Sequence, residues 1–521
     1  MPETHIDVVI SGAGPNGLML ACELALAGVR PVVLEQLPEP SSEPKANGIV
    51  GQAVRLLDMR GLSDADQFTD LAGVPARPQP IPRYIFSGLS LELGGLQHNP
   101  LYATGIPQPR LTRLLAGRAA ELAVDVRWGH ALADFHTRGD TVRITVSGPD
   151  GPYELTSRFL VGADGGTSQV RKRSGIGFPG ITADDHITRF GHATVPSELR
   201  TADGGIEIPG AGRFSFGHNR VERGMFVFAE LVPGRPMIGV TEYGGEAPPD
   251  DMPITFQELH DSVERVLGVP VPMTPPQGPG PHALRRMADQ NTRLAERYRE
   301  GAVFLLGDAA HVHSAMGGPG LNLGLQDAIN LGWKLAAEVQ GRAPAGLLDT
   351  YQSERYPVAE RVMMHSLSQT ALMAPGPEVT ALRQLFGELL HIPEVTAHIA
   401  NLLAGSDVRY DIGDDHPLAG RLVPDFTVTV DERRMPVAEL LRTARPVLLD
   451  LTGTFGEAAQ GWDDRVDVVT ITATDAEASA TALLIRPDGY VAWAATDSSC
   501  DGLHAALTRW FGPARAYAPA D

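Results

Sequence analysis

The chain has 521 residues, 43 of them Lys or Arg and 63 Asp or Glu, with a formal charge of −20 and 43% hydrophobic residues. That length suits two or three domains with sizeable cores, and so acidic a chain is a poor partner for nucleic acid or an anionic membrane surface. Cys22 and Cys500 are the only cysteines, which leaves neither a disulfide framework nor a cysteine metal site; Cys22 reads as plain core. The first residues have no basic region, and the apolar run after them is interrupted by glycines, Asn16 and Glu23. The expectation is therefore no signal peptide, no membrane span and a reducing cytoplasm.

Residues 6 to 11, IDVVIS, read as a buried strand, and residues 18 to 27 as a helix with a buried face. Between them Gly12-Ala13-Gly14-Pro15-Asn16-Gly17 makes the strand-turn-helix of a dinucleotide site. Gly12 permits the bend, Gly14 lets the backbone approach a pyrophosphate, Gly17 lets helix and strand pack closely, and the helix start faces the anion. A second strand, residues 31 to 34, runs into Glu35, about 20 residues beyond the glycines, where a carboxylate can accept both ribose hydroxyls and would repel a 2′-phosphate. This predicts an adenosine-diphosphate site for FAD or NAD rather than NADP.

Further along, the strand end at residues 159 to 161 leads into Gly162-Ala163-Asp164-Gly165 and a helix that begins at Ser168 and carries Arg171. Asp164 there can hold the turn against a cofactor or cap the helix. From residue 176 to 290 the pattern shifts to strands separated by Gly and Pro, at 213 to 217, 225 to 232 and 237 to 243, which predicts a sheet. A strand at 301 to 306 then leads into Gly307-Asp308-Ala309-Ala310-His311, where Asp308 can take a ribityl hydroxyl. Gly320, Leu321 and Asn322 open a helix running to 339, whose first amides would point at the pyrimidine end of an isoalloxazine and stabilise negative charge there. Three such stretches in this order point to one FAD.

His311 and His313 lack a third ligand for a metal, and Asp327 and Asn330 read as the exposed face of the helix. Tyr243 and Arg213, on predicted strands, are candidates for a substrate pocket, with core or surface placement as the plainer reading. No Gly-x-Ser-x-Gly elbow supports hydrolysis and no Trp-x-Trp supports halogenation. Residues 351 to 404 read as helical, and after a break at 411 to 417 a separate segment has strands at 446 to 451, 466 to 472 and 490 to 495.

These stretches resemble the class A FAD-dependent flavoprotein monooxygenases, the family of para-hydroxybenzoate hydroxylase, in its polyketide-tailoring and antibiotic-modifying branch, nearly end to end. The resemblance implies an α/β protein. It would have a Rossmann-like FAD-binding domain at 1–175 and 291–404, an inserted β-sheet substrate domain at 176–290, and a thioredoxin-like C-terminal domain at 418–521 that lacks Cys-x-x-Cys. It also implies that Gly12 to Gly17 bind the FAD diphosphate, Glu35 the ribose and Asp308 the ribitol, with Leu321 and Asn322 at the flavin ring. Asp164 is then shared between FAD and NAD(P)H, and Gln108, beside Arg110, falls where the family has a flavin-contacting Gln.

Lys45, one of only three lysines, stands where many relatives have Arg and offers a point charge to flavin or diphosphate without a bidentate fork. His313-Ser314-Ala315-Met316 replaces the paired prolines frequent in relatives and alters the floor of the substrate pocket.

The implied reaction takes hydride from NADH or NADPH bound transiently and inserts one oxygen of O2 into a polycyclic aromatic substrate through a flavin C4a-hydroperoxide. Phenol hydroxylation is the leading form, and no side chain is needed as nucleophile. Baeyer–Villiger oxygenation of a polycyclic ketone uses the same fold, and a non-catalytic flavin- and drug-binding protein is the reading from another class. The enzyme is expected as a monomer or homodimer.

Overall fold

In the computed structural model the run Ile6–Ser11 forms strand β1, with Val8, Val9 and Ile10 wholly buried. The structure describes residues 6–43, 45–63, 68–69, 78–230, 234–249, 251–280, 282–314, 316–474 and 480–515. After β1 come α1 (Pro15–Leu26), β2 (Val32–Glu35), α2 (Gln108–Glu121), β3 (Asp125–Trp128), β4 (Gly151–Gly162), β5 (Val303–Leu305), α3 (Pro319–Val339) and α4 (Asp349–Met373). The five strands pair in parallel in the order β5-β4-β1-β2-β3. Parallel strands covered on both faces need unbroken apolar runs, which residues 8–10 of β1 and the whole of β5 supply. Helix α1 begins at Pro15, three residues before the expected start, because Pro suits the first helical position. It lies so close to α3 that a Cβ on Gly332 would come 2.5 Å from Glu23 Cβ.

A second, antiparallel sheet runs in the order Gly217–Val221, Gly224–Ala229, Met237–Tyr243, His186–His192, Arg285–Met287. Alternation divides its faces. Phe226, Phe228, Ile238 and Val240 pack under the helix Phe256–Leu267, while Met225 and Val227 face the other way, against Met316 and Met373. The expected strand at 213–217 is in fact two. Gly212–Phe214 joins a small ribbon with Ile206–Ile208, and the large sheet starts afresh at Gly217, whose φ of +95° turns the chain. Arg213 pairs with Asp203 at the surface and Tyr243 packs on the His186 ring. Residues 231 and 232 of the expected strand at 225–232 lie outside the described residues.

The C-terminal segment forms a mixed four-stranded sheet, Asp467–Thr470, Val447–Asp450, Ala482–Ile485 and Val491–Ala495, with the helix Leu503–Phe511. Buried charges fasten it to the first sheet's helices. Arg486, between two of these strands, grips Glu354 of α4 with 2.6 and 2.8 Å contacts. Lys334 Nζ of α3 reaches the same carboxylate at 2.7 Å, and Asn330 donates to Glu354 and Asp488 at 2.7 and 3.1 Å. Asn330 is thus buried, not exposed as its polar side chain suggested, because its partners arrive from distant parts of the chain. Arg60 likewise pairs with Glu23 and donates to the carbonyls of Leu441 and Pro487.

Burial alone would raise the Glu354 carboxyl, but the charges of Arg486 and Lys334 outweigh it and hold it at about 2. An unfolded Glu titrates near about 4.3, so this stabilisation is complete above that pH and is lost as the pH falls toward 2. The wild-type urea midpoint is expected to fall steeply between about pH 5 and pH 2.5, and Glu354→Gln, though less stable at neutral pH, to show a flatter acid limb. Equal slopes in the two proteins would refute this assignment.

Candidate functional site

Because β5, β4 and β1 are parallel neighbours, the turns that follow them meet at one edge of the sheet, the place where open α/β sheets bind ligands. Their backbones touch. A Cβ on Gly12, at φ +107°, would lie 2.4 Å from Ala163 O, and one on Gly17 would lie 2.0 Å from Gly12 O. Ala163 N donates to Ser11 O at 2.8 Å and Leu306 N to Gly162 O at 3.0 Å. At Gly14, by contrast, an added Cβ would find no atom within 4 Å, so the start of α1 opens onto empty space. Glu35 ends β2 with its carboxylate beside this turn, accepting from Ala13 N at 2.8 Å and Leu37 N at 3.0 Å and keeping a free lone pair on each oxygen.

Asn16 spans from the first turn to the third. Its amide nitrogen would be 2.3 Å from a Cβ on Gly307 and 2.1 Å from one on Gly324, so both of those glycines make room for it. In the second turn Asp164 caps the following helix, its Oδ2 accepting from Gln169 N at 2.7 Å and Val170 N at 3.1 Å. Arg171 donates to Gly166 O and, at 2.8 Å, to Ala309 O, which ties the second turn to the third. Asn16 Oδ1 and Asp164 Oδ1 are buried without a hydrogen-bond partner among the described residues, a state that suits a hydrogen-bonding ligand.

Asp308 is exposed at the mouth of α3, and a Cβ on Gly320 would lie 4.0 Å from its Oδ1. Helix α3 is entered through Gly317 and Gly318, at φ +80° and +67°, with Pro319 first in the helix and no side chain capping its amides. Leu321 is half-buried. Asn322 accepts from Val50 N at 2.9 Å and donates to Gly318 O at 2.7 Å, so its amide shapes the entry loop. Gln108 opens α2, and its N–H donates to Ala46 O at 2.8 Å, which lays the loop carrying the exposed Lys45 along that helix. The edge therefore offers free amides, a ribose-type carboxylate and unsatisfied acceptors, and these fit an FAD.

The FAD binding domain family matches residues 5–366, and the C-terminal part of the aromatic-ring hydroxylases matches residues 416–514. The chain belongs to the FAD-dependent aromatic-ring hydroxylases. It is 41% identical over 520 residues to the 12-dehydrotetracycline 5-monooxygenase/anhydrotetracycline 6-monooxygenase of Streptomyces rimosus subsp. rimosus, covering 97% of this chain and 99% of that one. To the rifampicin monooxygenase of Rhodococcus hoagii it is 37% identical, covering 97% and 98%. The solved structure of the OxyS anhydrotetracycline hydroxylase from Streptomyces rimosus superposes with a TM-score of 0.85 at 39% identity, covering 98% of this chain and 100% of that one. The hydroxylase is thus an FAD-dependent monooxygenase of class A, as the three turns implied.

Other residues of the hydroxylase escaped the sequence reading. Asp327, expected on a surface, is wholly buried. It accepts from His311 Nε2 at 2.7 Å, Arg355 Nε at 2.8 Å and Gly307 N at 3.3 Å, so His311 braces the third turn. Burial would raise the Asp327 carboxyl, and Arg355 and His311 outweigh it and hold it below its ordinary range. Burial pushes the His313 imidazole down. Burial, then the charges of His313 and Arg361, push His365 to about 4. Of the stretch 313–316, Met316 joins Met225 and Met373, Ser314 O accepts from Ser366 Oγ at 3.1 Å, and Ala315 lies outside the described residues.

Proposed function

We propose that this hydroxylase uses NAD(P)H and O2 to place one oxygen atom on a polycyclic aromatic substrate, most directly on a phenolic ring of a polyketide or antibiotic. The observation that carries the reading is the convergence of the three turns on one sheet edge beside the open Gly14, with the Met225 and Val227 face of the second sheet set against the loop that enters α3. Bound FAD supplies hydride acceptance and O2 activation.

The residues supply the setting. Within Gly12 to Gly17 the turn would hold the diphosphate through the amides of Gly14, Asn16 and Gly17, since Pro15 has no N–H and those of Gly12 and Ala13 are taken by Leu34 O and Glu35; Glu35 would hold the ribose and Asp308 the ribitol. Asp164 Oδ1 and Asn16 Oδ1 would each accept from a cofactor hydroxyl, with Gln108 at the start of α2 and Lys45 on the loop beside it approaching the ring or diphosphate. Amides at Gly320, Leu321 and Asn322 favour negative charge at the pyrimidine end of the ring. Met225, Val227, Met316 and Met373 form an apolar wall that keeps water from the reacting atoms. His313 and His365 are neutral at physiological pH, and Gln369 Nε2 donates to His365 Nδ1 at 3.3 Å, which leaves that ring's proton on Nε2.

On the same reading the chain divides at about 1–175, 176–290, 291–404 and 418–521 and works in the cytoplasm as a monomer or homodimer. Among the described residues no helix is long and apolar enough to cross a membrane. The test is turnover under 18O2 with a panel that includes anhydrotetracycline and rifampicin. One labelled oxygen in a new phenolic hydroxyl supports the proposal. A base-labile lactone would replace it with ketone oxygenation, and tight ligand binding without NAD(P)H oxidation would replace it with a binding protein.

A further inference from the structure

A hairpin absent from the sequence reading, Arg83–Phe86 paired with Leu89–Glu92, has a two-residue tip with both residues in the left-handed region, Ser87 at φ +51° and Gly88 at +72°. Hairpin tips ordinarily face solvent. Here Gly88 is exposed but Ser87 is turned inward and only 2% exposed. The tip presses on the second sheet, where a Cβ on Gly88 would lie 2.9 Å from His218 O and 3.7 Å from Met373 Sδ. A serine forced to positive φ in a closed site persists only where its surroundings hold it. The holder is Gln369 of α4, itself 1% exposed. Its Oε1 accepts from Ser87 N at 3.4 Å and its main-chain carbonyl from Ser87 Oγ at 3.1 Å, while Arg383 fixes Ser87 O at 2.7 Å.

The same Gln369 amide reaches the other side. Nε2 donates to His365 Nδ1 at 3.3 Å and lies 2.7 Å from where a Cβ of Gly317 would stand. Gly317 therefore makes room for this amide at the loop that enters α3, and Ser366, on the same stretch of α4, bonds Ser314 O. One buried side chain thus abuts both a tip lodged against the substrate-side sheet and the glycine turn at the flavin end of α3.

We propose that Gln369 is a positioning residue that couples the Ser87–Gly88 tip, on the substrate side, to the Gly317–Gly318 turn at the flavin; this rests on the function proposed above. The test measures FAD affinity by fluorescence titration, the visible absorption envelope of bound FAD, and product formed per NAD(P)H consumed, in wild type, Gln369→Leu and Gly317→Ala. In both variants the FAD Kd is expected to rise about tenfold, in Gln369→Leu because the amide's bonds to Ser87 and His365 are lost and in Gly317→Ala because the added Cβ displaces that amide, with a shifted flavin envelope and at most half the wild-type product yield per NAD(P)H. If Gln369→Leu does not fold, Ser87→Ala, which removes a single bond to Gln369, is expected to move the same three readouts in the same direction by less. Variants with wild-type flavin affinity, spectrum and coupling but a lower melting temperature would overturn the proposal and leave Gln369 a packing residue. A wild-type protein that binds no FAD would instead refute the function on which it rests.

Discussion

Gly14→Ala is expected to fold as the wild type does and to lose FAD, its Kd rising between about ten- and a hundredfold. The two halves of that result have separate causes. Gly14 has φ −68° and ψ 175°, a conformation open to any residue, and an added Cβ meets no atom within 4 Å. The fold therefore loses only the small difference between Gly and Ala as a helix N-cap, about 1 kcal/mol or less. On the proposed function that empty space is where a diphosphate approaches the backbone, and a methyl there would hold phosphate off the amides of α1. Gly17→Ala acts differently, since its Cβ would sit 2.0 Å from Gly12 O and force the turn apart with or without cofactor. Urea midpoints and FAD titrations of the two variants separate the effects. A Gly14→Ala protein with wild-type FAD affinity would place the diphosphate elsewhere.

The second large effect is structural. Arg486→Met is expected to destabilise the protein by about 3–5 kcal/mol, because it strands two buried carboxylates, Glu354 and Asp488, beside the single charge of Lys334. It also removes the guanidinium that stacks 4.6 Å over Trp510 of the C-terminal helix. The released C-terminal unit should become cleavable by trypsin between residues 405 and 425, while saturating FAD still binds. Replacing Lys334, Glu354, Arg486 and Asp488 together with apolar residues of like volume should recover much of the loss. Protection from trypsin in Arg486→Met would mean that apolar packing alone holds the unit in place.

Legibility in the sequence followed the range of the contacts. The glycine turns could be read because each glycine answers a backbone approach within its own strand-turn-helix, and the fold class, the FAD and the strands at 446–451 and 490–495 came with them. Asn16 could not be read as a spacer, since Gly307 and Gly324, which make room for it, lie some three hundred residues on. Asp327 and Asn330 looked like an exposed helix face because single-sequence periodicity equates polar with solvated. In α3, which is buried almost all round, their partners come from α4 and from the turn at 486–488. Gln369 gave no signal at all, one amide on a mixed helix whose meaning lies in a hairpin tip and a glycine turn that only the fold brings to it.

One flavin site built by the three turns and serving oxygen insertion is tested most directly by NADPH and NADH oxidation in the FAD-loaded protein, with and without polycyclic phenols and ketones, with product mass recorded from the same reactions. A ligand is expected to accelerate oxidation and gain one oxygen atom, with product approaching one per NAD(P)H. Saturable binding of such ligands without faster oxidation, or faster oxidation that yields only hydrogen peroxide across the panel, would contradict it.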